Sequence, residues 1–233
     1  VSGPVQQALA RLRGDPEAAE WCRLPFFATG EADRIAAELD RAIAAGVEIA
    51  PSPADIFTAL TLTPRTSVKA VILGQDPYPK RGDAHGLAFS YVGPKSVPQS
   101  LRVILKELCE DLALQATTSG NLSAWGRQGV LLLNAALTTE IGRSGAHMKL
   151  GWSALTDEVV SLLSAGPAPV AFLLWGADAR RRAALIDRSK HLVLESGHPS
   201  PLNRARDFPG SRPFSRANAW LMSRGLEPVD WRL

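Results

Sequence analysis

The sequence predicts an α/β fold: a single domain with a central four-stranded parallel twisted sheet flanked by helices. Three observations lead there. Four short runs are almost wholly apolar, at residues 68–73 (VKAVIL), 130–133 (VLLL), 170–174 (VAFLL) and 191–194 (HLVL). Segments of helical spacing separate them. Polar residues and turn formers crowd the places where three of the runs end. Strands buried on both faces read as continuous apolar runs, and alternation with helices implies parallel pairing through right-handed crossovers.

Each element has its own reason. Residues 1–50 read as a helical N-terminal part. Within them, residues 31–46 carry Ile35, Leu39, Ala42 and Ile43 at helical spacing and stop at Gly46. Pro51 and Pro53 punctuate the chain, and Ser52 begins a short helix holding Ile56 and Leu60. The first apolar run follows. Residues 100–112 present Leu101, Ile104, Leu105 and Leu108 on one helical face before the second run. Residues 153–163 do the same with Leu155, Val159, Val160 and Leu163 before the third, and a helix over 177–186 precedes the fourth.

The 233 residues suit one domain with a substantial core. Hydrophobic residues make up 45% and charged residues 21%, the balance of a soluble globular protein. No run approaches the ~18 apolar residues of a membrane span, and the N-terminus lacks a charged-then-apolar leader pattern. The expectation is a cytoplasmic protein without membrane contact. Cys22 and Cys109 stand apart, and His85, His147, His191 and His198 are scattered without ligand spacing, so no metal is expected. The two thiols read as inert and buried. The net charge of +3 is unevenly spread: residues 1–50 hold five Arg against eight acids, whereas residues 175–216 hold eight Arg and one Lys against four acids. A basic C-terminal part suits a polyanionic partner.

In open parallel sheets, ligands bind outside the carboxyl ends of the strands. The segments there are residues 74–79 (GQDPYP), 134–138 (NAALT), 175–176 (WG) and 197–202 (GHPSPL). Asp76 precedes a proline and is therefore held extended on a stiff turn. As a carboxylate at a strand end it fits a general base, a stabiliser of positive charge, a metal ligand or a turn cap. Asn134 offers one acceptor and two donors, suited to the edge of a flat heterocycle or to tying loops together. His198 lies in a loop stiffened by two prolines. Leu202 stands among Pro201, Asn203, Arg204 and Arg206, either tucked into the core or exposed as an apolar wedge for a base stack.

At these residues the chain resembles the first, most widespread family of uracil-DNA glycosylases. Residues 74–78 reproduce the family's G-Q-D-P-Y motif. Residues 84–90 (AHGLAFS), 131–138 (LLLNAALT) and 198–202 (HPSPL) match three further motifs in order and spacing. The likeness extends through 122–129 (LSAWGRQG), 172–176 (FLLWG) and 228–231 (PVDW), covering roughly residues 50–233. The resemblance implies a DNA-repair hydrolase that flips uracil out of DNA and cleaves its bond to the sugar. By it, Asp76 is the catalytic aspartate that positions water and faces an oxocarbenium-like sugar. Gln75 lies by its backbone against a uracil oxygen, Tyr78 blocks the methyl of thymine, Phe89 stacks on uracil, and Asn134 reads N3 and O4. His198 stabilises charge growing on O2. Leu202 is the wedge. Ser100, Ser200 and Asn203 take the places of phosphate-contacting hydroxyls, and Arg204 and Arg206 add basic DNA contacts. The expected partner is uracil-containing DNA, single- or double-stranded, bound by a monomer without cofactor.

The physical chemistry of the residues agrees. A base must leave the stack before chemistry can reach it. Uracil departs as an anion, so a donor at O2 stabilises the transition state, and a neutral imidazole still carries one N–H. Cytosine mismatches a fixed asparagine, whereas a single methyl is better excluded by a wall than by attraction. No lysine sits in the matched motifs to form a Schiff base, so lyase activity is not expected. The chain departs from the family pattern at Pro79 (usually histidine), at residues 80–83 (KRGD), in the proline-poorer loop 93–100, at Asn203 (usually serine), and at Arg204 and Ala205. These positions bear on the water network, product affinity and inhibition by the family's DNA-mimic protein. Two other readings stand beside the first: a glycosylase of broader specificity for damaged pyrimidines, and a uracil-DNA-binding protein with little turnover. A nucleotide-binding α/β enzyme fits less well, since no glycine-rich phosphate loop is present.

Overall fold

A computed structural model describes residues 2–200, 203 and 207–233. The chain begins with α1 (Pro4–Gly14), the short α2 (Pro25–Ala28) and α3 (Glu31–Ala44). A two-residue strand, β1 (Ile49–Ala50), follows. A 3-10 turn (Pro53–Asp55) and α4 (Thr58–Leu62) share the stretch expected as one short helix, with Ile56 between them. Then come β2 (Ala70–Gly74), α5 (Gln99–Leu112), α6 (Ser123–Gly126), β3 (Val130–Asn134) and β4 (Thr139–Glu140). The remainder is α7 (Trp152–Ala165), β5 (Ala171–Trp175), α8 (Ala177–Arg181), β6 (Leu192–Ser196) and α9 (Pro213–Ser223).

The four expected strands form one all-parallel sheet in the order β3-β2-β5-β6. Three of them start one or two residues later than the apolar run suggests, and all end one or two residues further on. β2 and β3 stay in register to their last pair, Gly74 and Asn134. The expected helix over 177–186 is instead α8 followed by a 3-10 turn, Arg182–Leu185. β1 and β4 make a separate antiparallel pair.

Packing explains the apolar runs. Every residue of β3 and β5 is buried, as are the first four of β2. One continuous core runs from Val5 to Trp231, so the N-terminal helices pack into the same interior as the sheet. Trp125, Phe214 and Trp231 meet edge-on or tilted at ring-centre distances of 5.0–5.9 Å, closing one side. Two acids on α5 fasten the last segment. Glu107, 2% exposed, accepts from the Gly210 and Arg212 amides at 2.6 and 2.8 Å. Asp111 accepts from the Phe214 and Ser215 amides at 3.0 and 2.8 Å, which places negative charge at the start of α9. Cys22 and Cys109 are free and half-buried, not fully buried as the sequence suggests; burial and nearby Asp15 raise the Cys22 thiol, while Arg13 opposes them. No helix among the described residues is long and apolar enough to cross a membrane.

This topology locates the crevice. β2 hands the chain to β3 on one side, and its neighbour β5 hands it to β6 on the other. Loops leaving adjacent strands in opposite directions open a cleft at their carboxyl ends.

Candidate functional site

A cavity of about 240 Å³ occupies that cleft. It is lined by Gln75, Asp76, Tyr78, Phe89, Ser100, Asn134 and His198, seven of the residues singled out in the sequence, together with Pro79 and Ser144. Its volume lies below the ~300–1,000 Å³ of drug-sized sites and suits one heterocycle.

The floor depends on a glycine. A Cβ on Gly74 would lie 2.2 Å from Asn134 Oδ1, so only glycine lets the asparagine side chain fold over the end of β2. The backbone around it is fixed. Ala135 N–H donates to Gly74 O (2.9 Å), Ala136 N–H to Gln75 O (2.9 Å), and Thr156 Oγ1 to Asn134 O (2.9 Å). Asn134 is 7% exposed, and its Oδ1 is buried with no hydrogen-bond partner among the described residues. Leaving a buried acceptor unmatched costs ~1–3 kcal/mol, which a ligand N–H would recover.

Aromatic groups form the walls. Phe89 holds a left-handed backbone at φ 61°, a conformation uncommon outside glycine and a mark of imposed local geometry. Its ring lies 5.6 Å from the Trp175 ring and 6.0 Å from the His198 ring, centre to centre. Tyr78 donates its hydroxyl to Phe89 O at 2.8 Å and meets Tyr91 edge-on at 5.9 Å. Burial, reinforced by Asp83 and Tyr91, pushes the Tyr78 phenol upward, so it remains a neutral donor and a rigid wall.

The titratable groups complete the site. Asp76 Oδ2 accepts from Ser144 Oγ at 2.8 Å and from Gly145 N–H at 2.6 Å, while Oδ1 accepts from Gln75 Nε2 at 3.2 Å. Burial lowers the His198 pKa below the ordinary 6.5, favouring the neutral ring. His85, beside the cavity, bonds Ser90 Oγ at 2.6 Å, and that oxygen accepts from Leu122 N–H. It is a supporting group, with its pKa also lowered by burial.

The flanking residues divide. Ser100 lies in the first turn of α5 at the cavity, and Ser200 follows His198 in the next loop. Asn203 turns its amide toward Asp207 Oδ1 (3.0 Å), which holds that carboxyl below its usual range. Leu202, Arg204 and Arg206 lie outside the described residues. Among the described residues, no group of three or more His, Cys, Asp or Glu is placed to hold a metal ion. Sequence reasoning missed Ser144 and Gly145, which sit in a turn of ordinary composition far along the chain from Asp76.

The comparisons with known proteins point one way. The profile of the uracil DNA glycosylase superfamily matches residues 61–222. A uracil-DNA glycosylase of Rhizobium meliloti (strain 1021) is 51% identical over 188 residues, 81% of this chain and 78% of that protein. One from Chromobacterium violaceum is 45% identical over 228 residues, 96% of this chain and 93% of the relative. The crystal structure of mimivirus uracil-DNA glycosylase superposes with a TM-score of 0.85 at 27% identity, covering 94% of this chain and 87% of that one. With the profile spanning most of the sequence and one relative matching nearly end to end, the chain belongs to the uracil DNA glycosylase superfamily.

Proposed function

We propose that this protein takes uracil out of DNA and hydrolyses its N-glycosidic bond, releasing free uracil and leaving an abasic site as the first step of base excision repair. The observation that carries the reading is the buried, unmatched Asn134 Oδ1 in a cavity sized for one base. Uracil brings an N3–H that answers this acceptor; cytosine lacks that proton. Tyr78, immobilised by its bond to Phe89 O, stands as the wall against a 5-methyl group. Phe89 supplies the stacking face, and the backbone of Gln75 lies along a uracil oxygen.

The chemistry is divided between two loops. As the bond to the sugar lengthens, positive charge grows on the sugar and negative charge on the base. Asp76 faces the first and orients the attacking water. His198, kept neutral by burial, donates its N–H toward O2 and stabilises the second. The enclosed site requires the nucleotide to leave the duplex, with Leu202 entering the gap and Ser100, Ser200, Asn203, Arg204 and Arg206 gripping the backbone. The whole chain acts as one catalytic domain, a monomer working in the cytoplasm on single- or double-stranded DNA.

The test is incubation with a uracil-containing oligonucleotide in EDTA, followed by hot alkali. Cleavage at the uracil position, with free uracil released and none from cytosine or thymine controls, supports the reading. Tight binding without release in a single turnover would favour the binding-protein alternative.

A further inference from the structure

From the geometry around Asp76 we infer that Ser144 is a positioning residue for that carboxylate, fixing which of its oxygens faces the reaction. The inference rests on the reading of Asp76 given above. The turn at residues 142–145 docks onto the loop that carries Asp76 at three points. Gly142 N–H donates to Pro79 O at 2.7 Å, Gly145 N–H to Asp76 Oδ2 at 2.6 Å, and Ser144 Oγ to the same Oδ2 at 2.8 Å. The turn is itself braced: Thr139 Oγ1 donates to Arg143 O at 2.7 Å, and Arg143 N–H to Glu140 O at 3.0 Å on β4, which pairs with β1. Gly145 adopts φ 77°, the left-handed conformation that brings its amide onto the carboxylate.

The two oxygens of Asp76 are therefore unequal. A carboxylate oxygen accepts about two hydrogen bonds. Oδ2 already has two short donors, whereas Oδ1 has one donor at 3.2 Å. Spare acceptor capacity for a water is left on Oδ1. Of the two donors on Oδ2, Ser144 supplies the one that a side-chain change removes. Ser144 is exposed and sits on the cavity wall, away from the packed core, so removing its hydroxyl leaves no void in the interior.

The test is a cycle of Ser144→Ala and Ser144→Thr in the parent and in Asp76→Asn, with kcat and KM measured on a single-stranded uracil oligonucleotide and thermal melting alongside. Removing a hydrogen bond to a charged group predicts a ~10–100-fold lower kcat for Ser144→Ala. KM and melting temperature should stay within about twofold and about 2 °C of the parent, the range of a neutral surface change. Ser144→Thr, which keeps the hydroxyl, should retain most activity. In Asp76→Asn the Ser144→Ala change should add nothing. A kcat within twofold of the parent, an effect on KM alone, a fall that threonine does not rescue, or an equal fall in the Asp76→Asn background would each overturn the inference. Near-normal turnover in Asp76→Asn itself would overturn the reading of Asp76 and this inference with it. A large loss there beside an inert Ser144→Ala overturns the inference alone.

Discussion

Replacing Gly74 by alanine probes the base-reading geometry without touching any group assigned to the chemistry. The new Cβ would lie 2.2 Å from Asn134 Oδ1 and 3.0 Å from Ala88 Cβ, far inside the ~3.5–4.0 Å of ordinary contact. Backbone movement at Asn134 is opposed, because its carbonyl is held by Thr156 Oγ1 and its strand is in register with β2 up to this pair. Either the asparagine side chain rotates away or the strand ends part and the Ala135 N–H to Gly74 O bond is lost. Overpacking of this kind costs ~1–3 kcal/mol. At ~2–4 °C per kcal/mol for a domain of this size, the melting temperature should fall by about 2–12 °C. Loss of the hydrogen bond to the base, worth ~1–3 kcal/mol, should lower kcat/KM by about 5- to 150-fold. The assay is uracil release from a single-stranded oligonucleotide, paired with thermal melting. Excision and melting both close to those of the parent would show that Asn134 does not occupy the position on which the specificity argument depends.

Asp76→Asn should keep its affinity for uracil-DNA and lose at least ~100-fold in turnover, the low end for a positioned acid–base or electrostatic group; single-turnover kinetics with a binding titration separate the two. Asn134→Asp should gain cytosine excision and Tyr78→Ala thymine excision, each read by base release at high enzyme concentration; silence from both variants would remove the pocket assignment. Because burial lowers the His198 pKa, the ring stays neutral as pH falls through 6.5 and becomes charged only at more acid pH. The acid limb belonging to His198, identified as the part of the kcat/KM profile that disappears in His198→Asn, should therefore lie below 6.5, and a limb above that value would contradict the assignment.

The sheet was legible because β2, β3 and β5 are buried on both faces, so residues 130–133 and 170–174 had to be apolar throughout. Their last residues were not, since Asn134 and Ser196 continue the ladder as polar groups where it reaches the site. β1 and β4 are two residues each and too short for any period to register. α8 breaks into a 3-10 turn where Arg182 packs against Asp157 at 2.7 Å, a tertiary contact that local spacing cannot announce. Asp76, Tyr78, Asn134 and His198 could be named because each sits in a motif beside a strand end, and Phe89 because residues 84–90 resemble a further motif of the family. What the motif concealed was how they are held: the left-handed backbone of Phe89, and the Ser144 hydroxyl reaching Asp76 across 68 positions of sequence.

The most direct test of the account is a crystal structure of the Asp76→Asn variant bound to uracil-containing duplex DNA, since slow cleavage should leave the intact nucleotide in place. The account predicts a uracil outside the helix, its N3–H within 2.7–3.2 Å of Asn134 Oδ1, its face on Phe89 and its C5 edge against Tyr78. A uracil still paired in the duplex, or one in the cavity with Asn134 Oδ1 left unmatched, would contradict it.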